Sequence, residues 1–283
     1  MARFPSCEVA CRIGKILAVF AICGAMNLGA SAQAVRAHIV PIVQQIQRAD
    51  YEGDRPALKS LFDQLAPFMG DTELASRVHY WRGFALWRMA INGFNDSADP
   101  AELQEDLKLA LDEFYASAAS DPSFTDAKIG AISCLGYQAY MNRKDPARVK
   151  ELIDAATPLM REAQAADPQN PRLLWVLGPK IWNTPPERGG GQQKAIESNQ
   201  AGLEEARRRK GTSSDPLDPS WGEPELLMSL AWDSLSETVP DLPAAEKYAR
   251  SALALVPYWH YVRDLLIPQI QAARSAKTPV GKL

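Results

Sequence analysis

The chain is poor in the residues that most catalytic chemistry requires. It has 4 cysteines in 283 residues, and three of them, Cys7, Cys11 and Cys23, fall before residue 33. Only Cys134 remains beyond that point, so no intramolecular disulfide can brace the remainder and the fold must rest on core burial. Cys134 sits in an apolar stretch with no electropositive neighbour in sequence, as expected of a buried small apolar residue rather than a reactive thiol. Histidine is scarcer still. His38, His79 and His260 are the 3 present, no two within a helical turn of each other, which excludes a His-Glu-x-x-His metal site. Gly-x-Ser-x-Gly is absent. There is no excess of positive charge: the formal charge is −3, and it becomes −5 once Arg3, Arg12, Lys15 and Glu8 are set aside. A mildly acidic chain lacks the basic face that nucleic acid needs. Nor is there a run of alternating β-branched residues long enough to make a strand. No cofactor is expected, and no motif specifies an oligomeric state.

What is present begins with an address. Arg3, Arg12 and Lys15 precede an apolar run from Ile16 to Leu28, and Ala30-Ser31-Ala32 has the A-x-A form of a cleavage site. Residues 1–32 are expected to be a signal peptide and the mature chain to start at Gln33, periplasmic or secreted. The run is short for a membrane span, and Ile22 before Cys23 is unsuited to lipid attachment, so no stable membrane insertion is expected after cleavage.

Beyond the address, apolar residues recur at three and four, not at two. This spacing predicts helices at roughly 35–48, 56–68, 72–91, 102–119, 123–141, 146–166, 170–182, 191–209, 223–236, 242–255 and 258–273. Asp54 before Arg55-Pro56 and Asp145 before Pro146 have the form of an N-cap with proline in the first turn. Asp121-Pro122, Asp167-Pro168 and Val256-Pro257 fall where helices should stop. The expected organisation is all-α: a right-handed superhelical solenoid of about five antiparallel helix pairs plus a C-terminal capping helix over 33–274, with 275–283 a disordered tail.

One pattern recurs along the chain. Ile132, Leu135, Gly136 and Ala139 are followed by Ala156, Met160, Ala163 and Pro168. Leu174, Leu177, Gly178 and Ile181 begin it again, and Ala245, Ala249, Ala252 and Pro257 end a weaker copy. An earlier copy has Gly83 and Leu86, then Ala110, Phe114, Ser117 and Pro122. The pattern resembles the tetratricopeptide repeat, W-x₂-L-G-x₂-Y, then A-x₃-F, then P. That resemblance implies stacked helical hairpins and a binding scaffold rather than an enzyme. It also implies close crossings at Gly136 and Gly178, opposite Ala156 and Ala195.

In a tetratricopeptide array the first helix of each hairpin lines the concave groove. Carried onto this chain, the resemblance puts Tyr80, Phe84, Trp87, Tyr137, Tyr140, Trp175, Trp182 and Trp232 on that face, with Arg77, Arg88 and Arg172 beside them. Aromatics with arginines are what binding hot spots favour. An aromatic stripe at helical spacing also describes a core, and the sequence leaves groove and core equally open. The glycines 189–191 precede a helix and offer N–H groups to an anion. Yet Gln192-Gln193 follow instead of Gly-Lys-Ser/Thr, so an inter-helix loop is expected. The stretch from Thr184 to Ala195, with Ser220-Trp221-Gly222, is similar to loops of exported bacterial repeat proteins, a likeness that carries no activity. The expected function is a non-enzymatic periplasmic scaffold that binds a protein or extended peptide through the aromatic groove. The alternatives are a small-ligand carrier in which the aromatics wall a cavity, for which exported repeat proteins that assist solute uptake are a precedent, and a hydrolase or lyase on a helical toroid. Two buried carboxylates facing one cleft would favour the last.

Overall fold

The computed structural model describes residues 33–277, all of whose regular structure is helical. The signal-peptide expectation for 1–32 therefore lies outside the described residues. Helix α1 covers 33–52. It is followed by α2 (Arg55–Gln64), α3 (Ala75–Asn95), α4 (Pro100–Ser120), α5 (Thr125–Met141), α6 (Pro146–Ala166), α7 (Pro171–Asn183), α8 (Gln192–Arg208), α9 (Glu223–Ser236), α10 (Leu242–Leu255) and, after a wide π-type turn at Tyr261–Leu266, α11 (Ile267–Lys277). Since α11 runs to Lys277, three of the residues expected in a tail are helical.

Five helix starts share one local device. Asp54, Asp99, Asp145, Asn170 and Asp241 each accept backbone N–H groups of the first turn, and each is followed within two residues by a proline. The cap satisfies donors that have no partner inside the helix, and proline there has no N–H to lose. Each cap is worth about 1 kcal/mol. The stops fall at Asp121, Asp167 and Val256, immediately before their prolines.

Consecutive helices pack in pairs, and α3, α5, α7 and α9 also touch one another in turn. Small residues set the close approaches, only some of them at the expected places. The ring of Phe114 in α4 is held between Gly83 of α3 and Gly130 of α5. A Cβ on Gly130 would lie 2.4 Å from the ring, and one on Gly83 3.1 Å. Gly202 of α8 admits Leu226 in the same way, at 2.9 Å. Gly136, expected at a crossing opposite Ala156, is instead exposed, and an added Cβ would meet nothing within 4 Å. Gly178 faces the side chain of Asn199, not Ala195. Gly130→Leu should therefore lower stability by ~1–3 kcal/mol or more through overpacking, while Gly136→Leu melts with the parent. Equal melting curves for the two variants would contradict this packing.

The two ends of the helix series meet. The ring of Tyr51 in α1 stands edge-on to Trp259, 5.0 Å between centroids. Gly53, with φ of +73°, passes so close under His260 that a Cβ would lie 2.9 Å from the imidazole. His260 in turn reaches Asp96, beyond the end of α3, at 3.2 Å. Between α8 and α9 the chain crosses back to α1 and α3. Asp215 pairs with Arg36, Asp218 with Arg77 at 2.9 Å, and the Leu217 carbonyl accepts from Trp81 Nε1 at 2.8 Å. Leu217 and Trp221 are buried by this crossing. The inner surface expected to be an open groove is filled here by the chain itself.

Candidate functional site

Burial divides the expected site residues into two groups. Tyr80, Phe84, Trp87 and Arg88 on α3 are at most 3% exposed, and Trp175 on α7 joins them in the core. They line no open face, which corrects the expectation of a groove along α3. The reason is Trp221. Its ring lies 5.9 Å from Phe84, 5.6 Å from Trp87 and 5.6 Å from Trp175, and its Nε1 donates to the Tyr80 hydroxyl at 2.8 Å. Phe114 and Phe124 complete the cluster from α4 and the turn before α5, 5.7 and 5.1 Å from Tyr80. The aromatic surface of α3 is thus covered by the 211–222 segment.

The arginines expected at the groove edge are spent on internal partners. Arg77 is half-buried, 3.6 Å above the Phe124 ring, and paired with Asp121 and Asp218. Arg172 pairs with Asp126 and donates to the Trp221 carbonyl. Arg88 is the centre of a sealed polar network. Its Nε donates to Asp50 Oδ2 at 2.7 Å and its second amine to Glu225 Oε1 at 3.3 Å. Tyr51 donates to the same Glu225 oxygen at 2.8 Å, the Gly222 N–H to the other at 2.8 Å, and Asn92 to Asp50 at 3.0 and 3.2 Å. Burial opposes the Arg88 charge, but Asp50 and Glu225 outweigh it and raise its pKa. Burial raises Glu225 despite the nearby guanidinium. Asp50 and Glu225 are a buried carboxylate pair of the kind that would have favoured an enzyme had they faced a cleft. With side chains 3% and 0% exposed, they face a shared arginine and no cleft.

The second group faces outward. Tyr140 is 60% exposed beneath Arg143, and Tyr137 is half-buried against Phe94 with its pKa pushed up to about 12 by burial. Trp182 on α7 and Trp232 on α9 come together, ring centroids 5.2 Å apart and planes at 63°. Trp182 is half-buried and Trp232 is 38% exposed. Two tryptophans on neighbouring helices thus support each other edge to face while keeping ring surface in solvent. Beneath Trp232, Asp233 is buried and accepts from Asn199 at 2.7 Å. Asn199 Oδ1 is itself buried without a hydrogen-bond partner.

Burial pushes Asp233 up to about 6. An unfolded aspartate titrates at about 4. The native state therefore holds a proton that the unfolded chain has already lost. Stability from this group is full below about pH 4 and falls as pH rises through about 6. Asp233→Asn keeps the acceptor for Asn199 and removes that loss. The variant should gain roughly 2 kcal/mol at pH 7 and nothing at pH 4, read from denaturant midpoints at the two values. A gain of the same size at both would mean that charge burial is not the cause.

The remaining sequence candidates have partners within the chain or are buried. The N–H groups of Gly189, Gly190 and Gly191 donate to the Pro186, Pro185 and Ile181 carbonyls, so the glycine loop offers no anion cradle from these three. His38 contacts the Ala34 carbonyl, His79 pairs with Glu113 and His260 with Asp96 and Asp264. Cys134 is buried, and burial raises its pKa. Among the described residues no helix is long and apolar enough to cross a membrane, and no group of three or more His, Cys, Asp or Glu is placed to hold a metal. Sequence reasoning did not place Asp50, Tyr51, Phe114, Trp221 or Glu225 in a site. Phe114 carried a signal as the aromatic of the A-x₃-F pattern and Trp221 in the Ser220-Trp221-Gly222 likeness, while Asp50, Tyr51 and Glu225 carried none.

No protein-family model matches the chain, and no curated protein matches it. Among solved structures it is similar to the HusA haemophore from Porphyromonas gingivalis, with a TM-score of 0.53 and 16% sequence identity over 71% of this chain and 94% of that one. That likeness is one of fold.

Proposed function

We propose that the protein is a non-enzymatic binding protein that captures a flat apolar ligand on the exposed face formed by α7 and α9. The observation that carries this is the Trp182–Trp232 pair. Of the aromatics on the first helices, Tyr80, Phe84, Trp87 and Trp175 are already packed on other rings. Trp182 and Trp232 retain free surface, fixed by each other at low entropic cost. The similarity to a haemophore makes a tetrapyrrole the first ligand to test. Stacking of the ligand's ring on the two indoles carries the contact.

The scaffold that presents the pair is a tetratricopeptide-type array in this proposal, supported by the contacts of α3, α5, α7 and α9 in turn. The Ala30-Ser31-Ala32 site supports export to the periplasm or beyond. A peptide lying along all the first helices finds less support, because residues 211–222 cover α3. The test is a haem titration followed by tryptophan quenching. The parent should saturate, and Trp182→Ala with Trp232→Ala should weaken binding about 30-fold, the ~2 kcal/mol of a hot spot. Unchanged affinity in the double variant would move the site elsewhere.

A further inference from the structure

One buried side chain links the helices that carry the two tryptophans. Asn199 of α8 is 2% exposed and touches both. On one side its amide fits against Gly178 of α7, where an added Cβ would lie 3.2 Å from Oδ1. On the other its Nδ2 donates to Asp233 Oδ2 of α9 at 2.7 Å. Gly178 stands one helical turn before Trp182, and Asp233 is the residue after Trp232. The seating of the ring pair therefore depends on how Asn199 and Asp233 meet.

Asp233 is a carboxyl group in a place suited to a neutral one. It is 4% exposed, and the side chain that donates to it is an uncharged amide. Among the described residues, Glu237 is the charged group that bears on it, one turn further along α9 and of the same sign. Helices α7, α8 and α10 pack on α9. Lys180 of α7, Lys194 and Glu197 of α8, and Lys247 and Arg250 of α10 are exposed. Glu246 of α10 is tied to Arg250 and Arg274, and Asp241 caps α10. None of these supplies Asp233 with a counter-charge. Asn199 Oδ1 adds a buried acceptor without a hydrogen-bond partner. A protonated carboxyl has an O–H for such an acceptor once the amide turns over, whereas a carboxylate only accepts and leaves it unanswered. An ionised Asp233 must draw in water or part from α8, because an unpaired charge is costly in an apolar junction.

We propose that Asp233 is a pH switch for the tryptophan face. The neutral carboxyl keeps α7, α8 and α9 closed and the Trp182–Trp232 pair seated. The carboxylate loosens that junction, so that ligand held in acid is released as the medium turns neutral. Release of ligand rests on the reading of this pair as the ligand face. Burial sets the change near pH 6.

The test labels the full chain with 5-fluorotryptophan and follows it by fluorine NMR without ligand, from about pH 5 to about pH 8. The Trp182 and Trp232 resonances are identified by their loss in Trp182→Phe and Trp232→Phe. They should shift together with a midpoint near 6, while those of Trp81 and Trp87 stay still. Asp233→Asn should abolish the shift. Should that variant misfold, Asn199→Ala decides: it removes a bond that favours the carboxylate and should move the midpoint upward. With haem, the affinity of the parent relative to Asp233→Asn should fall about 10-fold between those two pH values, the weight of one pK unit. Taking the ratio cancels any titration of the haem itself. Resonances that do not move, or that move equally in Asp233→Asn, would overturn the switch. So would a ratio that is constant with pH while haem binds. A titration in the free protein with no haem bound at any pH would uphold the switch and overturn the ligand reading instead.

Discussion

Trp87→Ala should be among the most destabilising single substitutions in this chain, at ~3–5 kcal/mol. Trp87 is fully buried, and its ring meets Phe84, Phe114, Trp175 and Trp221 at 5.6–6.1 Å. These partners come from α3, α4, α7 and the segment before α9, so the cavity left by alanine opens where four parts of the chain converge. Collapse around it is hindered, because Phe114 is itself locked between Gly83 and Gly130. Its Nε1 has no hydrogen-bond partner, so alanine loses packing and no bond, and even gains back a little desolvation. At ~2–4 °C per kcal/mol for a domain of this size the melting temperature should fall by roughly 10 °C. Trp182→Ala, at a half-exposed site, should shift it far less. The comparison is direct: if both variants melt like the parent and both lose ligand, the α3 aromatics are a site and the core assignment is wrong.

Arg88→Ala should cost a comparable ~3–5 kcal/mol, for a different reason. It removes the one cation from a network that contains Asp50 and Glu225, both almost without solvent contact. Two carboxylates then remain without their counter-charge across the junction of α1, α3 and α9. Tyr51, Asn92 and the Gly222 N–H still bond the two carboxylates but carry no charge. The cause can be separated from lost packing. Adding Asp50→Asn and Glu225→Gln to Arg88→Ala removes the stranded charge, and the triple variant should recover much of the loss in urea denaturation. If the triple variant is no more stable than Arg88→Ala, the arginine stem and not its charge holds this junction.

Much of the fold was legible in the sequence for local reasons. Asp54 and Asp145 before prolines marked helix starts, and Pro122, Pro168 and Pro257 marked ends, because capping and the missing proline N–H act within a few residues. Gly136 was misjudged on the same kind of evidence. Its place in the Leu-Gly pattern suggested a crossing, yet the glycine of α5 that meets Phe114 is Gly130, six residues earlier, and no local signal ranks one above the other. The site was harder to read. The aromatic stripe was visible, but whether it was groove or core depended on Trp221, more than 130 residues from Trp87 in sequence. Residues 211–222 have no helical period, so nothing in them announced that they would fold back over α3. Likewise Asp50 and Glu225 lie on separate helices, and only the closure of the helix series brings them to Arg88. What survived as candidate surface, Trp182 and Trp232, was identified by its register on α7 and α9. The exposure that singles it out required the fold.

The central claim is that ligand meets the Trp182–Trp232 face while Tyr80, Phe84, Trp87 and Trp175 serve the core. Radical footprinting of side chains, read by mass spectrometry with and without iron-free protoporphyrin, tests it most directly. The account predicts that Trp182 and Trp232 react in the free protein and are protected by the ligand, while Trp87 and Trp221 stay unreactive in both. Protection at Tyr140 without change at Trp182 and Trp232, or ready labelling of Trp87 in the free protein, would contradict it.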